Sequence, residues 1–222
     1  MKYKKNKTLL NIVRTLLLKP FLCLAYDFQL KNVDNIPMEG PAAIIMKHQS
    51  WVDIIAAGGI IPRAATYMGK YELMENIFGD FPGSLLFHIG KIINPFSSWV
   101  LRSLGMIPIN RDNPARMISS FKEMRKMLEK GDCIVVYPEG KVVKNRMGDF
   151  KSGLIRMFQR FQKKSGIKIK FVPVGISYGR KHSFRKKMIV KVGEPMEFDW
   201  NDKSATDKIK ERVAELTDFN LE

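Results

Sequence analysis

The sequence predicts an α/β fold in which a mixed, largely parallel sheet is flanked by helices. Short apolar runs of strand length recur along the chain, patterns of helical period lie between them, and glycines and prolines separate the two. The chain has 222 residues, of which 45% are hydrophobic and 27% charged. A domain of this size buries enough apolar surface to fold without disulfides or metals. We therefore expect one α/β domain over residues 31–222, preceded by a separate segment over residues 1–30.

The first 30 residues predict amphipathic helices that contact a membrane surface. They hold six basic residues and one acidic residue, and apolar side chains recur among them at helical spacing. Pro20 is expected to break or kink the helix. Arg14 and Lys19 interrupt the apolar run before it reaches the ~18 residues that cross a bilayer. A basic amphipathic segment suits the membrane interface, although a helix that only docks on the domain would show the same pattern.

Within the domain, helices and strands follow in alternation. A helix that begins at Trp51 is expected to end near Gly58-Gly59, because glycine is a poor helix former. A helix over Pro114–Lys130 has one apolar face and Gly131 just past its end. The remaining helices are expected at Ser84–Leu104 (broken near Asn94-Pro95), Ser152–Lys164 and Ser204–Thr217, and the strands at Ala42–Met46, Ala65–Met68, Met106–Ile109, Cys133–Tyr137, Lys170–Val174 and Met188–Val192.

The net charge of +16 indicates an anionic partner. Residues 141–191 carry 16 basic residues and one acidic residue. Such a stretch suits nucleic acid, an anionic membrane surface or a phosphorylated substrate, and a solvated basic face is the simplest alternative. A nucleic-acid-binding module would interleave exposed aromatic side chains with the cations. Because Phe158 and Phe161 fit a helix core and Phe171 a buried strand, no nucleic-acid partner is expected.

The cysteines and histidines argue against metal sites. Cys23 and Cys133 lie far apart without zinc-ligand spacing, so a disulfide framework and a structural zinc are both unexpected, and a reducing, cytosol-facing compartment is the natural interpretation. His48, His88 and His182 are scattered, with no paired metal-binding motif, which argues against a metal-dependent hydrolase. No metal or cofactor is expected.

The segment Lys47–Asp53 (KHQSWVD) is the strongest local signal for chemistry. His48 follows a predicted strand directly, at the strand-to-helix turn where α/β folds place catalytic groups. If Asp53 lies in the first turn of the next helix, the imidazole can fold back onto its carboxylate. The carboxylate would then hold one ring nitrogen protonated and leave the other free as a base. The alternative is a histidine that bonds a loop and an ordinary acidic residue at a helix N-terminus.

Three further blocks follow this segment. Gly105–Arg111 ends a short strand with a cation, Tyr137–Gly140 ends a stronger strand with a carboxylate and a glycine, and Phe171–Gly175 places a proline inside an apolar strand. With His48–Asp53, they resemble in order the H-x4-D, G-x-I-x-x-x-R, E-G-T-R and proline-containing motifs of the glycerophospholipid acyltransferases. That family comprises the 1-acylglycerol-3-phosphate acyltransferases and their relatives, and the resemblance covers about residues 30–195.

This resemblance implies a glycerol-3-phosphate acyltransferase-like fold and an O-acyltransferase reaction. A fatty acyl group would move from acyl-carrier protein or acyl-CoA to the free glycerol hydroxyl of lysophosphatidic acid, giving phosphatidic acid. His48 would be the general base, oriented by Asp53, and Arg111 would bind the substrate phosphate. Glu139 and Gly140 would line the acceptor pocket, and backbone amides near the start of the helix would stabilise the oxyanion.

The sequence departs from the family in the third block. Lys141-Val142 stand where the family continues with Thr-Arg, so Lys141, Lys144 or Arg146 is expected to supply the charge. The apolar stretch Met74–Lys91 looks like an insertion that would line an acyl channel, lie on lipid or extend the core. The acceptor therefore stays open between lysophosphatidic acid, another lysophospholipid and a lyso-aminolipid. Lipid substrates and the basic segments together predict a peripheral protein on the anionic cytoplasmic face of the cell membrane.

Overall fold

The computed structural model describes residues 7–70, 105–110, 113–182 and 185–219 of the chain. Their strands are β1 (Tyr26–Lys31), β2 (Ala42–Met46), β3 (Ala65–Lys70), β4 (Met106–Ile109), β5 (Cys133–Val136), β6 (Lys170–His182) and β7 (Arg185–Val192). Their helices are α1 (Lys7–Val13), α2 (Lys19–Ala25), α3 (Val52–Ile60), α4 (Pro114–Glu129), α5 (Ser152–Ser165) and α6 (Ala205–Leu216), with a π-helical turn at Arg14–Leu18 and a 3-10 turn at Val33–Asn35. The predicted helix at Ser84–Leu104, the stretch Met74–Lys91 and Arg111 lie outside the described residues.

The described strands form a single sheet in the order β1-β7-β6-β2-β5-β3-β4. Neighbouring strands pair in parallel except for β6 and β7, which are antiparallel. The predicted mixed, largely parallel sheet is confirmed. Because β2, β5 and β6 lie side by side and run parallel, their carboxyl ends meet at one edge of the sheet, where ligands bind in open α/β sheets.

Two apolar cores lie on the two faces of the sheet. Ile44 and Val135 point into the core covered by α2 and α3, whereas their neighbours Ile45 and Val136 point into the core covered by α4, α5 and α6. Strands buried on both faces read as continuous apolar runs, and this made β2 and β5 easy to recognise. Three aromatic residues of the basic stretch, Phe158, Phe161 and Phe171, are buried in the second core.

Strand β1 was not predicted. It pairs in parallel with β7 from Tyr26 opposite Lys186 to Lys31 opposite Lys191. The sequence YDFQLK alternates apolar and polar residues with the period of a strand, so the signal was present. The helical part of the N-terminal segment therefore ends at Ala25, and the remainder of the predicted 1–30 segment belongs to the sheet.

Helix α3 runs through Gly58 and Gly59 and ends at Ile60, close to the predicted end. A Cβ at Gly58 would lie 2.6 Å from Cδ1 of Leu18, and one at Gly59 would lie 2.9 Å from Cδ1 of Leu22. The two glycines allow the N-terminal helix to pack closely on α3. Tertiary packing here outweighs the low helix propensity of glycine.

Pro20 does not break the N-terminal helix. The Arg14–Leu18 turn is π-helical, and the N–H of Lys19 donates to the carbonyl of Arg14. The extra residue in this turn places Pro20 in the first turn of α2, where its missing N–H costs little.

Thr8–Ala25 thus form one helix with a mean hydropathy of 1.5, of which 6% is buried, and by length and composition it is able to cross a membrane. This finding corrects the expectation that Arg14 and Lys19 leave the apolar run too short. Helices of this length also lie in membrane interfaces.

The N-terminal helix is docked on the domain along one side only. Leu22 is fully buried against α3, and the guanidinium of Arg14 donates to the carbonyl of Ile61 at 2.8 Å. The opposite side keeps large apolar side chains exposed, among them Leu16 and Leu24. Both sequence-based alternatives, docking and an exposed apolar face, therefore describe part of this helix.

Candidate active site

The carboxyl ends of β2, β5 and β6 assemble a polar cluster at the edge of the sheet. His48 follows β2 by two residues, Glu139 follows β5 by three, and Tyr178 lies within β6. Asp53 lies in the first turn of α3, which begins directly after the β2 turn. Residues separated by up to 130 positions in sequence are brought together here by the parallel pairing of the three strands.

His48 and Asp53 form the pair that the sequence predicts. Nδ1 of His48 lies 3.0 Å from Oδ2 of Asp53. The carboxyl side chain is fully buried, whereas the imidazole is 14% exposed. An ionised carboxylate accepts, so Nδ1 carries the proton and Nε2 is left with its lone pair. The geometry is that of an oriented general base.

The Asp53 carboxylate is held by three further donors. The main-chain N–H groups of Gln49 and Ser50 donate to Oδ2 at 2.5 and 2.7 Å, and the hydroxyl of Tyr178 donates to Oδ1 at 2.6 Å. A buried carboxylate needs such donors to remain ionised. The site therefore fixes both the charge and the orientation of the group that faces His48.

Three successive main-chain amides of the β2–α3 turn bind carboxylates of the protein. The amides of Gln49 and Ser50 bind Asp53, and the amide of His48 donates to Oε2 of Glu139 at 3.0 Å. An oxyanion donor at the start of the helix, which the sequence predicts, would therefore be an amide other than these three.

Two tyrosines complete the surroundings of the pair. The Tyr137 hydroxyl donates to the main-chain carbonyl of Asp53 at 3.0 Å, and its ring centroid lies 4.5 Å from that of His48. Burial, followed by the nearby Asp53 carboxylate, raises the pKa of Tyr137 and of Tyr178 well above the ordinary tyrosine value. Both phenols therefore stay neutral hydrogen-bond donors near neutral pH.

Glu139 is bonded to the protein through both of its carboxylate oxygens. It is 4% exposed, and Nζ of Lys47 donates to its two oxygens at 2.8 and 2.9 Å. The amide of Gly148 donates to Oε1 at 2.6 Å. With the His48 amide on Oε2, both carboxylate oxygens are bonded to protein donors. A direct contact of the Glu139 side chain with an acceptor would require breaking these bonds.

Lys47 is the buried partner in this ion pair. Its side chain is fully buried, and Nζ also donates to the carbonyl of Val143 at 2.7 Å. Burial lowers the pKa of Lys47, while its hydrogen bond to Glu139 opposes that shift. The pairing with Glu139 is what allows a charged lysine at this depth.

The segment 140–150, hereafter the basic loop, carries the predicted phosphate-binding cations. Gly140 opens it in the left-handed region, at a φ of 68° that a side chain rarely adopts. Lys141, Lys144 and Arg146 are exposed along it, and the N–H of Val143 donates to the carbonyl of His48 at 2.8 Å. The loop therefore runs beside the predicted base.

An apolar pocket of about 210 Å³ lies between the N-terminal helix, α3 and the strands β3 and β4. Its wall on α3 includes Ile54, which is adjacent to Asp53 in sequence. The lining residues are Leu10, Val13, Leu18, Ile54, Ile55, Gly58, Tyr67 and Met106. The N-terminal helix therefore supplies part of a cavity in the domain.

Sequence reasoning missed Lys47, Gln49, Tyr137 and Tyr178 as residues of the site. Gln49 bridges β6 to the basic loop, because its Nε2 donates to the carbonyl of Ile176 at 2.5 Å and its Oε1 accepts from the amide of Asn145 at 3.1 Å. Three of the four residues lie within the segments Lys47–Asp53 and Tyr137–Gly140 that the sequence analysis singled out. Tyr178 could have been placed by period-2 spacing from Ile176, which points into the core beneath α3.

Comparisons with known proteins show similarity to acyltransferases. A family model described as Acyltransferase matches residues 84–177. The chain is 25% identical over 130 residues to the chloroplastic 1-acyl-sn-glycerol-3-phosphate acyltransferase LPAT1 of Arabidopsis thaliana, a match that spans 58% of this chain and 31% of that protein. It is 28% identical over 127 residues to the 1-acyl-sn-glycerol-3-phosphate acyltransferase of Helicobacter pylori, spanning 56% of this chain and 46% of that one. The matches thus span less than half of either relative.

A solved structure shares the fold. The 1-acyl-sn-glycerophosphate acyltransferase PlsC from Thermotoga maritima aligns with a TM-score of 0.62 over 93% of this chain and 77% of that chain, at 19% identity. This likeness confirms the predicted acyltransferase-like architecture. The family model, the curated relatives and this structure together show that the chain is similar to the 1-acyl-sn-glycerol-3-phosphate acyltransferases and their relatives.

Proposed function

We propose that this protein transfers a fatty acyl group from a thioester to the free glycerol hydroxyl of lysophosphatidic acid, giving phosphatidic acid. The observation that carries the proposal is the 3.0 Å contact between His48 and the buried Asp53 at the edge of the sheet. The names of the relatives, which are 1-acyl-sn-glycerol-3-phosphate acyltransferases, support this acceptor.

In the proposed reaction, His48 acts as the general base. Nε2 takes the proton of the acceptor hydroxyl as its oxygen attacks the thioester carbonyl, and the thiolate leaves when the tetrahedral intermediate collapses. The imidazolium then returns the proton to the thiolate. Asp53 holds Nδ1–H and stabilises the positive charge that His48 carries in between. The donor thiol belongs to acyl-carrier protein or to coenzyme A.

The acceptor phosphate is assigned to the cations near the predicted base. Arg111, which lies outside the described residues, remains the sequence-based candidate, and Lys141, Lys144 and Arg146 of the basic loop support it. These three side chains are exposed next to His48, as a lipid headgroup requires. Another lysophospholipid or a lyso-aminolipid is the alternative acceptor.

The acyl chain is assigned to the apolar pocket beneath the N-terminal helix. The pocket is lined by aliphatic side chains, a tyrosine ring and a methionine. An alkyl chain gains about 0.8 kcal/mol for each methylene that leaves water. Ile54 in the pocket wall follows Asp53 directly, so a thioester carbonyl near His48 lies within reach of a chain in the pocket.

We also propose that the protein is attached at the cytoplasmic face of the cell membrane by its N-terminal helix. Leu16, Leu17 and Leu24 are at least 60% exposed. Exposed leucines on a helix near a basic surface favour an interface with anionic lipid. Such attachment would supply the lysolipid and accept a product with two acyl chains.

A product analysis tests the proposed function. The purified full chain is offered lysophosphatidic acid, lysophosphatidylglycerol or glycerol 3-phosphate, each with acyl-carrier-protein and CoA thioesters, and products are resolved by mass. We expect phosphatidic acid from lysophosphatidic acid. If another acceptor is acylated with a higher kcat/KM, that compound replaces lysophosphatidic acid as the proposed acceptor. If no combination of acceptor and thioester gives a product, the proposal is contradicted.

A further inference from the structure

We propose that the buried Lys47–Glu139 pair is a positioning device that holds the basic loop against His48. This proposal rests on the proposed function in one respect: the basic loop is taken to bind the acceptor phosphate. The pair touches no substrate in this account. The pair acts through hydrogen bonds to the main chain of His48 and of the basic loop.

The hydrogen bonds of the pair reach both sides of the site. Lys47 donates to Val143 in the loop at 2.7 Å as well as to both oxygens of Glu139. Glu139 accepts from the amide of His48 at 3.0 Å and from the amide of Gly148 at 2.6 Å. One ion pair thus binds the turn that carries the base and two separate points of the loop.

Further bonds fix the loop at Val143 and Asn145. The Val143 amide donates to the His48 carbonyl at 2.8 Å, and the Asn145 amide donates to Oε1 of Gln49 at 3.1 Å. A Cβ at Gly148 would lie 2.8 Å from Oε1 of Glu139, so this approach requires glycine. The exposed Lys144 and Arg146 lie between these anchored positions and are therefore held at a defined distance from the imidazole.

Energetics argue that the pair serves position rather than stability. Removing two charges from water carries a desolvation cost that their attraction often fails to exceed, and apolar replacements of buried pairs are frequently neutral or stabilising. An apolar pair would fill the same space, but it would leave the amides of His48 and Gly148 without acceptors. What Lys47 and Glu139 uniquely provide is the set of directional bonds to the turn and the loop.

The test separates stability from position. The double variant Lys47→Met/Glu139→Gln removes both charges at similar volume, and Glu139→Asp keeps the charge but shortens the side chain. The control Lys168→Met/Glu197→Gln removes an exposed pair of 3.8 Å at the opposite end of β6. Each full-length variant is examined by thermal melting, by hydrogen exchange over residues 140–150, and by KM for lysophosphatidic acid and for the acyl donor.

We expect amide exchange in the basic loop and the acceptor KM of the double variant each to rise about tenfold or more, while the donor KM and the amide exchange of α4 and α6 change little. Glu139→Asp should give the same local pattern if the double variant fails to fold. The control should change neither the amide exchange of the basic loop nor the KM for lysophosphatidic acid. The proposal would be overturned if loop exchange and the acceptor KM kept their unaltered values in both site variants. It would also be overturned if amide exchange rose in α4 and α6 as much as in the basic loop. If the unaltered protein does not acylate lysophosphatidic acid, the proposed function fails, and loop exchange still decides the positioning role.

Discussion

The hydroxyl of Tyr178 donates a 2.6 Å hydrogen bond to Oδ1 of Asp53, the carboxylate oxygen that His48 does not contact. Tyr178 belongs to β6 and Asp53 to α3. The bond therefore anchors the partner of the base to the sheet as well as to its own helix. Because burial and the carboxylate raise the pKa of Tyr178, this donor is present throughout the neutral pH range.

Replacing Tyr178 with Phe is expected to lower kcat about tenfold with little loss of stability. Without this donor, the Asp53 carboxylate is held only by the amides of Gln49 and Ser50 and by His48 itself, so the imidazole is oriented less firmly. Tyr26→Phe, which alters a ring centred 6.2 Å from that of Tyr178, is the control. An unaltered kcat in the Tyr178→Phe variant would show that this hydrogen bond does not help to position the base.

The apolar pocket is expected to set the acyl chain length. A Cβ at Gly58 would lie 2.6 Å from Leu18, a pocket residue, so Gly58→Ala pushes side chains into the cavity. Long-chain donors should lose kcat/KM about tenfold, whereas short-chain donors should be little affected. Gly153→Ala, at a position with open space, is the matched control. An unchanged chain-length profile would place the acyl group elsewhere.

Membrane attachment is expected to depend on the exposed leucines of the N-terminal helix. Deleting the helix would also open the pocket, so the sharper variant is Leu16→Gln/Leu17→Gln/Leu24→Gln, which leaves the buried side intact. We expect flotation with anionic liposomes to fall, and acylation of vesicle-borne substrate to slow more than that of detergent-dispersed substrate. Full flotation of this variant at high salt would show that the anchor lies elsewhere.

The basic loop is expected to contribute to acceptor affinity. Arg146→Ala should raise the KM for lysophosphatidic acid about tenfold and leave the donor KM near its original value, because a charge-assisted contact to phosphate is lost. Lys164→Ala, which removes an exposed cation of α5, serves as the control. A rise in the donor KM instead would assign Arg146 to the donor carrier.

Sequence predicted those features that depend on local chemistry. The strands β2 and β5 and the pairing of His48 with Asp53 were predicted because apolar runs and a five-residue spacing are read directly along the chain. Strand β1 was missed although its alternation is regular, because it follows an apolar helix and was grouped with it. The continuation of α3 through its glycines depends on contact with a helix some 40 residues earlier, and no local propensity contains that information.

The polar contacts of the site likewise depend on tertiary structure that local sequence does not contain. A glutamate after a strand predicts a pocket carboxylate, whereas the structure turns Glu139 inward onto Lys47. That choice depends on β2 and β5 being neighbours in the sheet, and sequence spacing does not encode it. Tyr178 likewise reaches Asp53 only because β6 pairs with β2.

The most direct test is the turnover of a His48→Ala variant with lysophosphatidic acid and an acyl thioester, measured beside its thermal melting. Loss of an oriented general base predicts a fall in kcat of about 10² to 10⁴, with the melting temperature close to that of the unaltered protein. Near-normal turnover by a folded His48→Ala protein would contradict the account, since no other residue is assigned to take the proton.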